Sequence, residues 1–465
     1  MLKALRREPG FYKRLVALSL PMVIQNLITN SLGFVDTFMV GLVGSDELSA
    51  VTAANTPIFL LQCCIFGLMS GLTILVTQYW GHQDKESINR CMGIVIYLGL
   101  ALSTTAAAIL FFFPVQVMSA VTNNALLIEL GAPYLQLVGI GYIFNAVSSV
   151  YVSMQRSTEN PAFGMTVFGV SMCTNTILNY IFIFGKLGLP AMGITGAALA
   201  TMIARIVEFS IVAVYATRNH RIPLMPHALL RPGKDFLRRA IRYSGPVVLN
   251  EMLWGAGTST VVVIMGHMAI SADMLAAHAI MGNIDKFATV ACFGLANAAS
   301  VFIGKRIGEG ADREDVYSLG ICLLTVAFLC GLFTSILLAL LLPTLFVPVL
   351  YPLFGLSANA SSVAVTLCIV YLVVMPIRSF DVTNVVGVLR AGGDSRFAAI
   401  LDILPLWLLT IPCTALLALV LNAPVPLVCA ATQMECMAKM PIGILRLRSR
   451  KWINDVTIPF EEASS

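Results

Sequence analysis

Charge is the scarcest property of this sequence: only 11% of its 465 residues are Asp, Glu, Lys or Arg, whereas 58% are hydrophobic. A soluble domain carries about 25% charged residues, so this chain cannot cover a water-facing surface of its own size. Most of its charges fall between long apolar runs. This distribution excludes a soluble globular fold and indicates a membrane protein.

Motifs for catalysis, nucleotide hydrolysis and metal binding are also missing. The 11 cysteines form no CxxC or Cys/His spacing, and the five histidines lie far apart, so the cysteines are interpreted as small apolar fillers of membrane helices. Neither HExxH nor GxSxG occurs, which argues against a membrane-embedded enzyme, and the absence of GxxxxGK[ST] excludes an ATP-driven pump within this chain. No cofactor is expected. The net charge of +5 does not indicate nucleic-acid binding, because the basic residues are explained by their positions between the predicted membrane spans.

The apolar runs predict twelve membrane-spanning helices, because crossing the bilayer takes about 20 apolar residues. The N-terminus starts basic and turns apolar like a signal peptide. Its apolar run continues to about Gly41 without a cleavage site, so we interpret it as a retained first helix. The predicted spans are 15–40, 51–79, 91–116, 131–153, 162–186, 192–217, 240–265, 275–303, 317–349, 363–389, 397–422 and 424–447.

The basic residues are concentrated at the termini and in every second connection between these spans. Of the 29 Lys and Arg residues, 24 fall on one side of the predicted membrane, and only Lys186 falls on the other. By the positive-inside rule, both termini are predicted to be cytoplasmic. We therefore expect a multi-pass protein of the cell inner (plasma) membrane.

The two halves of the chain resemble each other. LPMVIQN (20–26) recurs as GPVVLNE (245–251), and FGLMSGLTILVTQYWG (66–81) recurs as FGLANAASVFIGKRIG (293–308). An even number of spans per half makes these parallel repeats, an arrangement known from transporters. The expected fold class is an all-α polytopic membrane protein with twelve helices in two parallel six-helix repeats. The predicted lobes are 1–217 (N-lobe) and 240–465 (C-lobe), joined by a cytoplasmic linker, 218–239.

Charged residues inside spans are functional candidates, because each costs about 2.5–3.5 kcal/mol at the membrane centre. Some have a structural explanation from their spacing on one helix face. Arg205 with Glu208 and Glu435 with Lys439 are predicted to pair. Asp402 lies near a cytoplasmic end and is expected to be in water. The sequence leaves the roles of Asp285 and Lys286 open.

Asp36 is the acid of a predicted coupling-ion site in the N-lobe. Asn175 and Asn179 are one helical turn apart on span 5, and Thr201 lies at a similar depth on span 6. One carboxylate with amide and hydroxyl oxygens suits Na⁺, in particular at Asp36, Asn175 and Asn179, or one exchangeable proton. Hydrogen bonding between helices is the alternative role for these polar residues.

Glu251 and Asp381 are predicted to form a substrate or ion site in the C-lobe. Their estimated depths from the cytoplasmic side are roughly 16 and 12 Å, so they are expected to share a cavity. One proton, one Na⁺ or a cationic substrate would relieve the repulsion between the two carboxyls. In the alternative, Arg378, one turn from Asp381, neutralises it.

The ordered strings LPMVIQN, VDTFMVG, GLTILVTQYWG, TGAALAT and VLRAGGD resemble the multidrug and toxic compound extrusion (MATE) family, in its NorM-like branch. The resemblance implies a two-lobed antiporter that exports cationic or amphipathic compounds in exchange for Na⁺ or H⁺. It also implies that Asp36 is the N-lobe carboxylate and that Glu251 and Asp381 are the C-lobe acids. Asn179 stands where some members have Asp, so Asp36 is the only acid of its site.

Three other functions remain to be weighed. A flippase for a lipid-linked saccharide would share the architecture, but it would need several basic residues in its cavity, and most basic residues in these spans lie beside acids. A membrane-embedded enzyme lacks its motifs. A channel is compatible with the composition, but the two-fold repeat with two acid sites favours alternating access. The expected partners are the bilayer and small cationic or amphipathic molecules, with a monomeric chain.

Overall fold

The computed structural model describes residues 5–268 and 270–458, and over these residues it contains helices and no strands. The first half comprises α1 (Phe11–Gly41), α2 (Ser45–Gly81), α3 (Lys85–Phe112), α4 (Pro114–Ser119), α5 (Ala125–Ser157), α6 (Pro161–Phe184), α7 (Gly193–Arg218) and the linker helix α8 (Pro226–Leu230). The second half comprises α9 (Lys234–Gly266), α10 (Ser271–Ala288), α11 (Val290–Gly308), α12 (Arg313–Leu341), α13 (Tyr351–Leu353), α14 (Ala358–Val382), α15 (Ser395–Pro405), α16 (Ile411–Ala415), α17 (Val425–Ala431) and α18 (Met434–Arg448). Wider π turns follow α12, α14, α15 and α16, over Leu342–Leu350, Thr383–Leu389, Leu406–Thr410 and Leu416–Val420.

The predicted fold class is confirmed. Within the described residues, 11 helices are long and apolar enough to cross a membrane. Nine of the predicted spans correspond to continuous helices, several of which extend beyond the predicted ends. Span 91–116 covers most of α3 and ends in α4, with a break at Phe113. The other two spans, 275–303 and 424–447, are each built from two helices, α10 with α11 and α17 with α18.

Polar side chains mark both interruptions. Thr289 separates α10 from α11, and its hydroxyl donates a hydrogen bond to the Asp285 carbonyl at 2.8 Å, a contact that bends helices. Between α17 and α18, the Thr432 hydroxyl donates to the Cys429 carbonyl at 2.7 Å. The apolar runs in the sequence are continuous there, which is why hydropathy alone predicts single helices.

The helices pack as two compact units, and α1 and α9 each contribute to both. One unit is Ile24–Val248. The other contains the described residues up to Val23 and from Leu249 onward. The first turns of α1 therefore belong to the unit that holds most of the second half, and the first turns of α9 belong to the other. The predicted lobes, 1–217 and 240–465, are defined by the sequence repeats and not by these contacts, so their boundaries stay a prediction.

The sequence repeat reappears as matching close contacts within the two units. A Cβ atom on Gly67 of α2 would overlap Val248 of α9, and one on Gly294 of α11 would overlap Val23 of α1. Gly67 and Gly294 occupy the same place in the repeated FGL string, and both valines occupy the same place in the other repeat. Glycine is required at both positions because the neighbouring helix backbone lies where a side chain would be.

A C-terminal tail, residues 449–458, follows α18 and packs back onto its own unit. The Trp452 side chain is fully buried in the core that also contains Leu319 and Leu447, and its indole N–H donates to the Leu447 carbonyl at 3.1 Å. A side chain on Gly392 would overlap this indole ring. Gly392 and Gly393 of the VLRAGGD string therefore leave the space in which the tail packs.

Candidate functional site

The four residues predicted for the N-lobe site form one continuous chain of hydrogen bonds. The Asn179 amide nitrogen donates to the Asp36 carboxylate at 2.5 Å and to the Asn175 carbonyl oxygen at 3.0 Å. The Asn175 amide nitrogen in turn donates to the Thr201 hydroxyl oxygen at 3.1 Å. Asn175 and Asn179 are buried, and Asp36 and Thr201 are half-buried.

Local sequence explains why these side chains meet. Asn175 and Asn179 are four residues apart on α6, so they lie on the same face of the helix. Gly196, near the start of α7, lies directly against the Phe182 backbone of α6, where any side chain would overlap. This close approach brings Thr201 on the next turn of α7 within hydrogen-bond distance of Asn175.

The chain of hydrogen bonds contains one unsatisfied acceptor. The Asn179 side-chain oxygen is buried and has no hydrogen-bond partner among the described residues, and a buried acceptor without a partner costs about 1–3 kcal/mol. Within the same residues no three His, Cys, Asp or Glu side chains cluster as metal ligands would. The site therefore offers one carboxylate and neutral oxygens, a set that can hold a single small cation.

In the other unit, Glu251 forms an ion pair that the sequence did not predict. The Glu251 carboxylate lies 2.9 Å from the Arg390 guanidinium, and the Arg390 side chain is only 2% exposed. Arg390 lies in the turn between the π turn that follows α14 and the start of α15, at the junction of two predicted spans. The π turns after α14 continue the helix to Leu389 and carry Arg390 into the protein interior.

Asp381 is 4% exposed, and one of its carboxylate oxygens has no hydrogen-bond partner in the described structure. The charged groups that act on it are Lys439, Asp402 and Glu435. Arg378 bonds to Asp285 at 2.6 Å instead. The alternative in which Arg378 neutralises Asp381 is therefore not the observed arrangement, and Asp285 has the role of pairing with Arg378.

Lys439 of α18 bridges two acids. Its ammonium group lies 2.7 Å from the Asp402 carboxylate and 3.0 Å from the Glu435 carboxylate. The predicted pairing of Glu435 with Lys439 is thus observed. The expectation that Asp402 is in water was wrong, because this side chain pairs with a buried lysine and also accepts a hydrogen bond from Asn250 at 2.9 Å.

Two buried residues of this cluster, Arg390 and Asn250, are not among the predicted site residues, although the internal repeat points to both. Arg390 aligns with Arg156 in the second pair of repeated strings, MQRSTENPAFG (154–164) and VLRAGGDSRFA (388–398), and Asn250 aligns with Gln25 in the first pair. Polar residues at the ends of apolar runs ordinarily mark the ends of spans. Their burial depends on where each helix ends, which hydropathy does not determine.

Comparison with known proteins agrees with this architecture. The MatE family model matches residues 21–181 and 246–416. The chain is 22% identical over 419 residues to the uncharacterized transporter YisQ of Bacillus subtilis, and 26% identical over 416 residues to the multidrug resistance protein MdtK of Edwardsiella ictaluri, with 88% of each chain covered in both cases. A solved MOP superfamily transporter from Pyrococcus furiosus superposes with a TM-score of 0.84 at 20% identity, over 98% of this chain and 99% of that one.

These findings define the class of protein: a multi-pass membrane transporter that moves small molecules, and not an enzyme. The chain belongs to the MatE family, the multidrug and toxic compound extrusion transporters. The family resemblance seen in the sequence motifs is confirmed.

Proposed function

We propose that this chain is a secondary active multidrug efflux antiporter, which exports cationic or amphipathic compounds in exchange for Na⁺ or H⁺ by alternating access. Several relatives carry the name of multidrug resistance proteins, among them MdtK of Edwardsiella ictaluri at 26% identity over 88% of both chains. Their names support drug-like compounds as the exported class. The bilayer is the inner membrane of the cell, with both termini cytoplasmic and a monomeric chain as the working unit.

The observation that best supports this proposal is the buried chain of hydrogen bonds that ends on Asp36. It links three helices, α1, α6 and α7, through side chains alone. A cation that binds Asp36 competes with the Asn179 amide for the same carboxylate, so binding and release change the contacts between α1 and α6. Antiport requires such a link between ion occupancy and helix packing.

Glu251 and Asp381 are the proposed substrate or ion site of the other unit. Asp381 has an unsatisfied carboxylate oxygen in buried surroundings, where a cation or a proton is needed to offset its charge. Glu251 already has Arg390 as its partner. We therefore assign the cation-binding role chiefly to Asp381, with Glu251 and Arg390 as the fixed pair beside it.

The alternative, a flippase for a lipid-linked saccharide, would use free basic groups to hold a pyrophosphate. Arg205, Arg378 and Lys439 each bond to a carboxylate at 2.6–3.0 Å. Because these charges are neutralised, they do not form a pyrophosphate site, and the antiporter is the better supported function.

Transport into proteoliposomes tests the proposal, with a Na⁺ gradient and a pH gradient imposed separately and ethidium as the cationic dye. We expect one of the gradients to drive dye movement, and we expect Asp36→Asn to abolish it while leaving a folded, inserted protein. Asp46→Asn, an exposed acid in the first turn of α2, is the matched control and should behave as wild type. Dye movement in Asp36→Asn at the wild-type rate would contradict the role of Asp36, and indifference of the wild type to both gradients would contradict antiport.

A further inference from the structure

Lys286 is a positively charged residue on the exposed surface of a membrane span, and the site described above does not use it. Its neighbour Asp285 bonds to Arg378 of α14 at 2.6 Å. Consecutive residues lie about 100° apart around a helix. Because Asp285 is turned toward α14, Lys286 points to another side of α10, where its side chain is exposed.

Lys286 lies deep within the span that α10 and α11 form together. At 1.5 Å per residue it is roughly 22 Å from Ser271, where α10 begins, and roughly 33 Å from Gly308, where α11 ends. A lysine in the middle of a span costs about 2.5–3.5 kcal/mol, so such residues usually face the inside of a bundle or a water-filled cavity. Exposure at this depth therefore indicates contact with water and not with lipid.

The exposed face around Lys286 differs from that of a helix that packs against lipid. In the ten residues 279–288 of α10, the exposed side chains are Ala279, Asn283, Lys286 and Phe287. Asn283 lies one turn before Lys286, on the same face. In the ten residues 329–338 of α12, the exposed side chains are all large and apolar, namely Leu329, Leu332, Phe333, Ile336 and Leu337.

The helix break at Thr289 supports the same placement. α10 ends at Ala288 and α11 begins at Val290, within the span. Interrupted helices occur at membrane depth where the backbone is buried in protein or lines water, and transporters place substrate sites at such interruptions. Lys286 is in the last turn of α10, where the negative end of the helix dipole stabilises its ammonium group when no substrate is bound.

The acid that we assign to cation binding lies on a neighbouring helix of the same unit. Asp381 follows Arg378 by three residues on α14, less than one turn, and Arg378 bonds to Asp285 of α10. The two helices thus carry an ammonium group and a carboxylate a short distance apart. A molecule with charges of both signs complements this pair, whereas a plain cation is repelled by Lys286.

We propose that Lys286 is a specificity-determining residue of the transport path, which binds the carboxylate of amphipathic substrates that also carry a cation. This inference rests on the proposed function and names its substrate class as zwitterionic amphipathic compounds. The ammonium group donates charge-assisted hydrogen bonds to the substrate carboxylate. A cation of the same shape without the carboxylate binds more weakly.

Binding of two rhodamine dyes to the detergent-solubilised protein tests this proposal. Rhodamine B carries a carboxylate, and its ethyl ester is the same cation with that carboxylate blocked. We expect the wild type to prefer rhodamine B. Lys286→Gln should bind rhodamine B about tenfold more weakly, as the loss of one hydrogen bond to a charged group implies, and should bind the ester no more weakly.

Two variants serve as controls for the dye measurement. Lys286→Arg keeps the charge and should retain the preference for rhodamine B. Lys234→Gln removes an exposed lysine at the start of α9 and should behave as wild type. The same ratio of the two affinities in the wild type and in Lys286→Gln would overturn the proposal.

Lys286→Cys gives a second readout, which does not depend on dye binding. In proteoliposomes, and in a background without native reactive cysteines, a charged thiol reagent should label this position. Phe333→Cys, at a residue 69% exposed on α12, is the control and should react at least about tenfold more slowly, because lipid excludes the reagent. Equal labelling rates would place Lys286 against lipid and overturn the proposal. A wild type that keeps its dye preference but responds to neither ion gradient would contradict the proposed antiport alone.

Discussion

Replacing Trp452 by alanine should strongly destabilise the unit that contains α11 to α18. The indole is completely buried and hydrogen-bonded to the Leu447 carbonyl, and it lies over Gly392 and Gly320. Neither glycine has a side chain with which to fill the space left by the ring. The cavity will therefore persist instead of collapsing, which places the cost at the upper end of what large-to-small core changes show.

A buried tryptophan truncated to alanine costs about 3–5 kcal/mol. For a unit of this size that corresponds to a fall in melting temperature of about 10 °C. Detergent-solubilised protein heated in steps and assayed by size-exclusion chromatography measures the change. Leu445→Ala is the matched control, because Leu445 lies on the same segment but is 67% exposed, and it should shift the melting temperature by 1–2 °C at most, as surface changes of about 0.5 kcal/mol do.

The reasoning would be refuted if Trp452→Ala melted at the same temperature as Leu445→Ala. That outcome would mean that the tail detaches from the unit at little cost, and that the glycines of the VLRAGGD string serve another purpose. A second variant separates the two explanations. Gly392→Ala places a methyl group against the indole and against the Trp452 carbonyl oxygen and should also lower the melting temperature, but combined with Trp452→Ala it should cost less than it does alone, because the overlap with the ring is gone and only the one with the backbone remains.

Glu251→Gln should reduce the free energy of unfolding by about 3–5 kcal/mol and lower the melting temperature markedly, because it leaves the buried Arg390 without its carboxylate. Equal melting temperatures of the variant and the wild type would show that this pair is not buried in the membrane. Asp381→Asn removes an unpaired charge, so it should fold normally and lose affinity for cationic dyes far more than for neutral ones, as measured by dye binding; unchanged cationic affinity would exclude it from the substrate site. A cysteine at His227, exposed in the linker, should react with an impermeant thiol reagent only after the cytoplasmic side is opened, in a background without native reactive cysteines. Labelling of intact cells at this position would overturn the predicted topology.

The fold was predictable because it depends on two properties that can be read directly from the sequence, the length of the apolar runs and the internal repeat. Apolar length gave the spans, and the repeated FGL string gave the two halves. The hydrogen-bonded cluster around Asp36 was also predictable, since Asn175 and Asn179 are related by one helical turn and Asp36 is the only acid within the predicted first span. Local periodicity and the scarcity of charge in the membrane carry this information.

The ion pairs of the other unit were only partly predictable. Arg378 lies one turn from Asp381, yet it bonds to Asp285, which is 93 residues away in the chain. Lys439 bonds to Glu435 as its spacing suggests, but also to Asp402 on another helix. The choice between a near acid and a distant one depends on which helices pack together. A single sequence contains the candidates for such a pair and does not rank them.

The division of α1 between the two units has a consequence for how the protein is made. Phe11, Leu15 and Met22 pack in a core completed by residues such as Leu295 and Trp452. Those partners are synthesised more than 270 residues after the start of α1, and at about 5–20 residues per second the wait exceeds roughly ten seconds. The unit Ile24–Val248 has all of its residues once the first turns of α9 have been synthesised. The beginning of the chain thus completes the unit that is finished last, and a protein cut between its two repeats would leave neither unit whole.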